Sequence, residues 1–95
     1  MAEMGAGTDW EEEETYWRDN YRQRPYVNPG QNYESLRPAY RFGYDATDRY
    51  QGRSWNDVET DLQRDWNRYE HRGQSTWEQI KSAVRDAWDR VTGSR

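Results

Sequence analysis

The chain predicts an all-α domain, a small bundle of three to four short helices ending in a C-terminal helical hairpin. Three observations lead there. Large apolar residues recur at i, i+3, i+7 and i+11 in two segments: Trp55, Val58, Leu62, Trp66, and Trp77, Ile80, Val84, Trp88. At about 100° per residue, eleven residues return to within about 20° of the start, so each set shares one helical face. Residues that suit helix starts and stops bracket both segments: Ser54 and Thr76 before them, Gly73 and Gly93 after them. The apolar content is also unusual, with six Trp, eight Tyr and one Phe in 95 residues. Each ring can bury roughly 150–250 Å², so the aromatics replace the scarce aliphatics as core.

Along the chain, residues 1–8 are expected to be disordered, leaving 9–93 as a single helical domain; 95 residues are too few for two cores. Asp9 caps a first helix with Trp10, Glu13, Trp17 and Tyr21 on its stripe, so one stripe position is charged. Glu11 to Glu14 fall in its first turn, where the helix dipole favours carboxylates. The link from Arg24 to Gln31, with Pro25, Pro29 and Gly30, reads as an extended turn. Asn32 then caps a stripe of Tyr33, Leu36, Tyr40 and Tyr44 that Pro38 interrupts. Proline in a helix interior removes a hydrogen bond and clashes with the preceding turn. The expectation is therefore a short turn at 33–36 and a fresh helix from Pro38 to about Tyr50. Gly43 weakens that helix or lets another approach closely. The last two helices are expected at 55–71 and 77–91. Asp57 and Gln79 complete capping-box patterns, and the short link His71–Ser75 makes the pair antiparallel.

The order of motifs is distinctive. It runs Tyr16-Trp17-Arg18-Asp19-Asn20-Tyr21, Arg24-Pro25-Tyr26, Arg37-Pro38-Ala39-Tyr40-Arg41-Phe42-Gly43-Tyr44 and Gly52-Arg53-Ser54-Trp55. Val58-Glu59-Thr60-Asp61-Leu62, Trp66 and Lys81-Ser82-Ala83-Val84-Arg85-Asp86-Ala87-Trp88 follow. This order resembles a family of short bacterial proteins without assigned activity, some encoded near general-stress genes, over about residues 15–91. The resemblance implies a bacterial cytoplasmic protein with a stress-related role. It brings no ligand, cofactor or site residue with it.

Charge and residue types narrow the chemistry. The net charge is −4, and all of it lies in residues 1–52, which hold ten acids against six Arg. Neither half has the cation excess that phosphate backbones require. Thirteen of the fourteen basic residues are Arg, suited to stacking on rings and forking onto carboxylates. The absence of Cys excludes disulfides and thiolate chemistry. No apolar run approaches the roughly 20 residues of a membrane span, and a cytoplasmic location is expected. The one His, His71, falls in a polar turn, and Glu11–Glu14 lacks the alternating ligands of a calcium loop. No catalytic, metal or cofactor site is expected.

The expected function is non-enzymatic: a small adaptor binding another protein through aromatic and Arg residues, the types enriched at binding hot spots. The docking set is Tyr26, Arg37, Tyr40, Arg41, Phe42, Tyr44 and Tyr50, with Tyr33 among the rings expected to stay exposed. One alternative is single-stranded nucleic acid stacked on the Arg/aromatic segment 37–50, although Asp45 and Asp48 cancel much of its charge. Another is a structural, self-associating protein, a homo-oligomer whose stripes bury one another. The expected core is Trp55, Val58, Leu62, Trp66, Trp77, Ile80, Val84 and Trp88.

Overall fold

The computed structural model describes residues 9–69 and 75–93. Among these residues the chain forms four α-helices and no strand: α1 (Trp10–Asn20), α2 (Tyr33–Arg49), α3 (Trp55–Asn67) and α4 (Trp77–Thr92). A single 3₁₀ turn, Tyr21–Gln23, follows α1. The termini expected to be disordered, His71 and Gly73 lie outside the described residues.

The stripes are the core. All eight expected core residues are buried, from Trp55 to Trp88. They are joined by Trp17, Tyr21, Tyr33, Leu36, Tyr40 and Phe42 and by four alanines. The Trp55 ring lies between Trp77 (6.3 Å) and Trp88 (6.1 Å). Trp66 meets Phe42 edge-on at 5.2 Å. Its indole N–H donates to the Ser75 carbonyl at 3.0 Å, tying the end of α3 to the entry of α4.

Local signals explain most boundaries. The Asn32 side chain accepts from the Ser35 amide, and Ser54 from that of Asp57. At α4 the Gln79 side chain accepts from the Thr76 amide at 3.0 Å, one arm of the capping box. Gly93 ends α4 in the left-handed region (φ 74°), where a side chain would be strained. Asn28–Gln31 close a turn through Gln31 N–H to Asn28 C=O, with Gly30 at φ 85° as the proline-glycine pair demands.

Two expectations need correction. α2 is one helix straight through Pro38, not a turn followed by a fresh helix. The Asn32 cap starts it, and burial of Tyr33 and Leu36 ahead of the proline holds that first turn in helical form. Only one backbone bond, to the carbonyl four residues back, is lost. α3 stops at Asn67 and not at 71; Arg68 and Tyr69 turn back onto the Asp65 and Trp66 carbonyls. α3 and α4 are neighbours, as the hairpin requires, and the most extensive pairing is α4 against α2. Gly43 is the reason. A methyl placed on it would lie 2.9 Å from Ala87 Cβ and closer still to the Val84 carbonyl oxygen. Ala39 and Ala46 are buried on the same face of α2, so the two backbones meet along a seam of small residues.

Helix α1 packs antiparallel on α2. Trp10 faces Tyr44 (5.5 Å), Trp17 stacks on Tyr40 (4.4 Å, 7° between planes), and Tyr21 meets Tyr33 (5.7 Å). No helix among the described residues is long and apolar enough to cross a membrane.

Candidate functional site

The expected docking set is brought to α2 and its flanks, but nearly all of it is occupied within the chain. Tyr40 is 0% exposed and Phe42 4%, and Tyr33 is buried too, so these three rings are core and not a free surface. The reason lies in helix geometry: Tyr33 and Tyr40 sit on the face that α1 covers, and Phe42 reaches the other way to Trp66 and Tyr69, joining α2 to α3. A Phe42→Ser change would therefore disturb folding. Arg37 pairs with Glu14 of α1. Arg41 forks onto Asp45 at 3.2 Å and lies over the Trp10 ring at 5.1 Å. Tyr44 is half-buried beside Trp10. The Tyr50 hydroxyl donates to Asp65 at 2.8 Å, where Arg49 also binds, so the end of α2 is latched to α3.

Tyr26 belongs to a polar chain that the sequence did not reveal. Its hydroxyl donates to Asp86 Oδ2 at 2.7 Å and lies 2.7 Å from the Tyr40 hydroxyl. Having given its proton to the carboxylate, Tyr26 must accept from Tyr40. Arg24 closes the same carboxylate with Nε at 2.7 Å and Nη2 at 3.2 Å. Burial, then the bond to Tyr40, raises the Tyr26 hydroxyl far above the ordinary tyrosine value. Burial pushes Tyr40 up to about 12. The Asp86 bond raises Arg24. Both phenols stay neutral and the ion pair is complete, so this chain latches the 24–26 link onto α2 and α4. It borders a shallow cleft of about 300 Å³ that Ser82, Arg85 and Asp89 also line. Among the described residues no three His, Asp or Glu side chains are grouped to hold a metal ion.

The more open surface lies between α1 and the C-terminal turns of α4. Tyr16 is the one large hydrophobic side chain that is exposed among the described residues, at 36%. The Arg90 guanidinium covers one side of its ring at 3.6 Å. Arg90 also donates from Nε to Glu13 Oε1 at 2.9 Å, and Glu13 is only 2% exposed. The charged stripe position of the first helix is thus a buried carboxylate met by an arginine 77 residues away. A groove of about 550 Å³ opens here, lined by Glu11, Glu12, Glu13, Thr15 and Arg90. Three carboxylates against one guanidinium leave it net negative. Sequence reasoning passed over Tyr16, although its position one residue off the buried stripe was the available signal: a ring turned about 100° from its own helix's core face points outward. No known protein family, curated protein or solved structure matches the chain.

Proposed function

We propose that the protein is a non-enzymatic interaction module, a small adaptor that docks a basic segment of another protein in the α1–α4 groove. The observation that carries this reading is Tyr16. In a fold that places its other large rings in or against the core, this one stays in solvent beside an acidic, concave surface. An aromatic side chain next to carboxylates suits a Lys or Arg side chain, which can lie along the ring while its charge meets Glu11 or Glu12. The charge of residues 1–52 adds long-range attraction of the same sign. A stress-associated adaptor, as the motif order implies, is compatible with this chemistry.

Base stacking on 37–50 has less support, because Tyr40 and Phe42 are buried and Arg37 and Arg41 face carboxylates of the chain itself. An amide-shift titration tests the proposal. A synthetic Arg/Lys-rich peptide is expected to move signals of residues 11–16 and 90 saturably, and an acidic peptide of equal length to move none. Tyr16→Ser should leave the thermal melt in place and weaken the peptide about tenfold or more, the scale of a modest hot spot. Shifts scattered over the surface, displacement by a thymidine oligonucleotide, or sedimentation as a stable oligomer without ligand would each refute the reading.

A further inference from the structure

We infer that the face of α2 and α4 lying beneath α1 is an acceptor site for an acidic, aromatic helix, and that α1 is its resident, displaceable occupant. The seam between α1 and α2 differs from the rest of the core. Among the described residues, four buried side-chain polar atoms have no hydrogen-bond partner, and three of them lie in this seam: Trp10 Nε1, Trp17 Nε1 and Tyr33 Oη. Each such orphan subtracts from the stability of the interface that buries it. Burial holds the Tyr33 hydroxyl above its ordinary titration range, as an unpartnered phenol requires.

The helix is anchored by rings and charge, Trp17 on Tyr40 foremost. It contains no aliphatic hydrophobic residue, and Asp9 makes no side-chain capping bond. Four consecutive glutamates crowd its first turns. The rest of its hold is charge and rings: Glu13 on Arg90, Glu14 on Arg37, Trp10 under Arg41, and Tyr33 under Arg18. Interfaces that bury unpartnered polar groups and rest on part-exposed ion pairs open toward the low end of a protein's stability range.

The acceptor face is well defined without α1. Tyr44, Tyr40 and Tyr33 form a row of rings along α2, and Arg37, Arg41 and Arg90 supply three cations around it. Its complement reads off α1: an aromatic residue at i, carboxylates at i+3 and i+4, and a second aromatic at i+7, as in Trp10, Glu13, Glu14 and Trp17. A helix of that pattern from a partner, held by the same cations and rings, replaces α1. This partner has the opposite charge to the one proposed for the α1–α4 groove, and since α1 supplies four of the residues lining that groove, the two partners exclude each other while their peptide tests stay distinguishable.

The test uses the full chain and a labelled synthetic peptide of residues 9–23. Native-state hydrogen exchange is expected to show α1 amides opening at least about tenfold more readily than those of α2 and α4. The peptide is expected to bind saturably by fluorescence anisotropy, while a peptide carrying Glu13→Lys and Glu14→Lys does not. The decisive variant is Glu13→Gln in the chain itself. By loosening the resident helix it raises the open fraction, and the peptide should bind about tenfold more tightly, since apparent affinity scales with that fraction. Glu14→Gln, which loosens the same helix from a less buried position, gives the same sign should Glu13→Gln fail to fold. Exchange of α1 only in step with α2 and α4, no peptide binding, or weaker binding by the loosened chain overturns the inference.

Discussion

Replacing Gly43 by alanine sets two effects of opposite sign against each other, and the structure decides between them. Alanine favours a helix interior over glycine by about 1 kcal/mol, so an exposed site would gain stability. At Gly43 the added methyl meets Ala87 Cβ at 2.9 Å and Val84 carbon at 3.2 Å, with the Val84 carbonyl oxygen nearer than either. Two of these atoms are backbone in the middle of α4 and cannot rotate aside. Relief requires α2 and α4 to separate, which opens voids around the buried Ala39, Ala46 and Ala83. Overpacking of this kind costs about 3 kcal/mol at the upper end of its usual range. Subtracting the propensity gain leaves a net loss of about 2 kcal/mol, or roughly 10 °C in Tm for a domain this small. Circular dichroism melts at 222 nm with parallel urea titrations would measure it. A Gly43→Ala chain that melts at or above the parent temperature would show that the α2–α4 seam is not closely packed, and the reasoning would fail.

Other substitutions probe the remaining joints. Trp66→Ala and Trp88→Ala, each removing an indole that is 1% exposed, should cost about 3–5 kcal/mol and abolish the cooperative melt near room temperature; unchanged melts for either would contradict the core described here. Pro38→Ala should raise Tm, because it restores one helical bond worth about 1 kcal/mol at a half-buried position, and a lower Tm would mean that the proline is preorganising α2. Alkaline titration followed at 295 nm gives a pH test. Tyr40 is raised in the fold to about 12 from 10.0, so its neutral form contributes stability that is complete below pH 10 and is lost as pH climbs through about 12. At about pH 11 the native chain should therefore show fewer ionised tyrosines than the urea-unfolded chain. Equal phenolate absorbance in the two states would remove the Tyr26–Tyr40–Asp86 chain from the account.

The parts of this fold that were legible in the sequence are those that depend on one segment at a time. A ring every three or four residues puts one face of a helix out of water whatever it meets, so Trp55 through Trp88 could be assigned to the core. The caps at Asn32, Ser54 and Thr76 act within a single turn and were legible for the same reason. What a stripe does not encode is its partner. The short link after α3 gave the antiparallel neighbour, but not that α4 packs chiefly on α2, where Gly43 with Ala39 and Ala46 allows a closer approach than the Trp-lined face of α3. Glu13 shows the same limit: it stood as a charged position on the stripe of the first helix, and its counter-charge, Arg90, lies 77 residues along the chain.

The docking set failed on a related point. Tyr33, Tyr40 and Phe42 were expected outside as ring types enriched at binding hot spots, in a chain of fifteen aromatics. The chain instead stacks rings on rings, Trp17 on Tyr40 and Tyr40 on Tyr33, which houses them at the cost of leaving indole and phenol hydrogen-bonding groups unpartnered. Those orphans gather where α1 lies on α2, while Trp66, deeper in the bundle, finds the Ser75 carbonyl. The interface under α1 is thus the one weakened by unpartnered polar groups. Surfaces that exchange partners are drawn from such weakened interfaces, because a ligand has to compensate only a small opening free energy there. The proposal for the face beneath α1 follows from that weakness, whereas the α1–α4 groove rests on the exposure of Tyr16 and the acidic charge beside it.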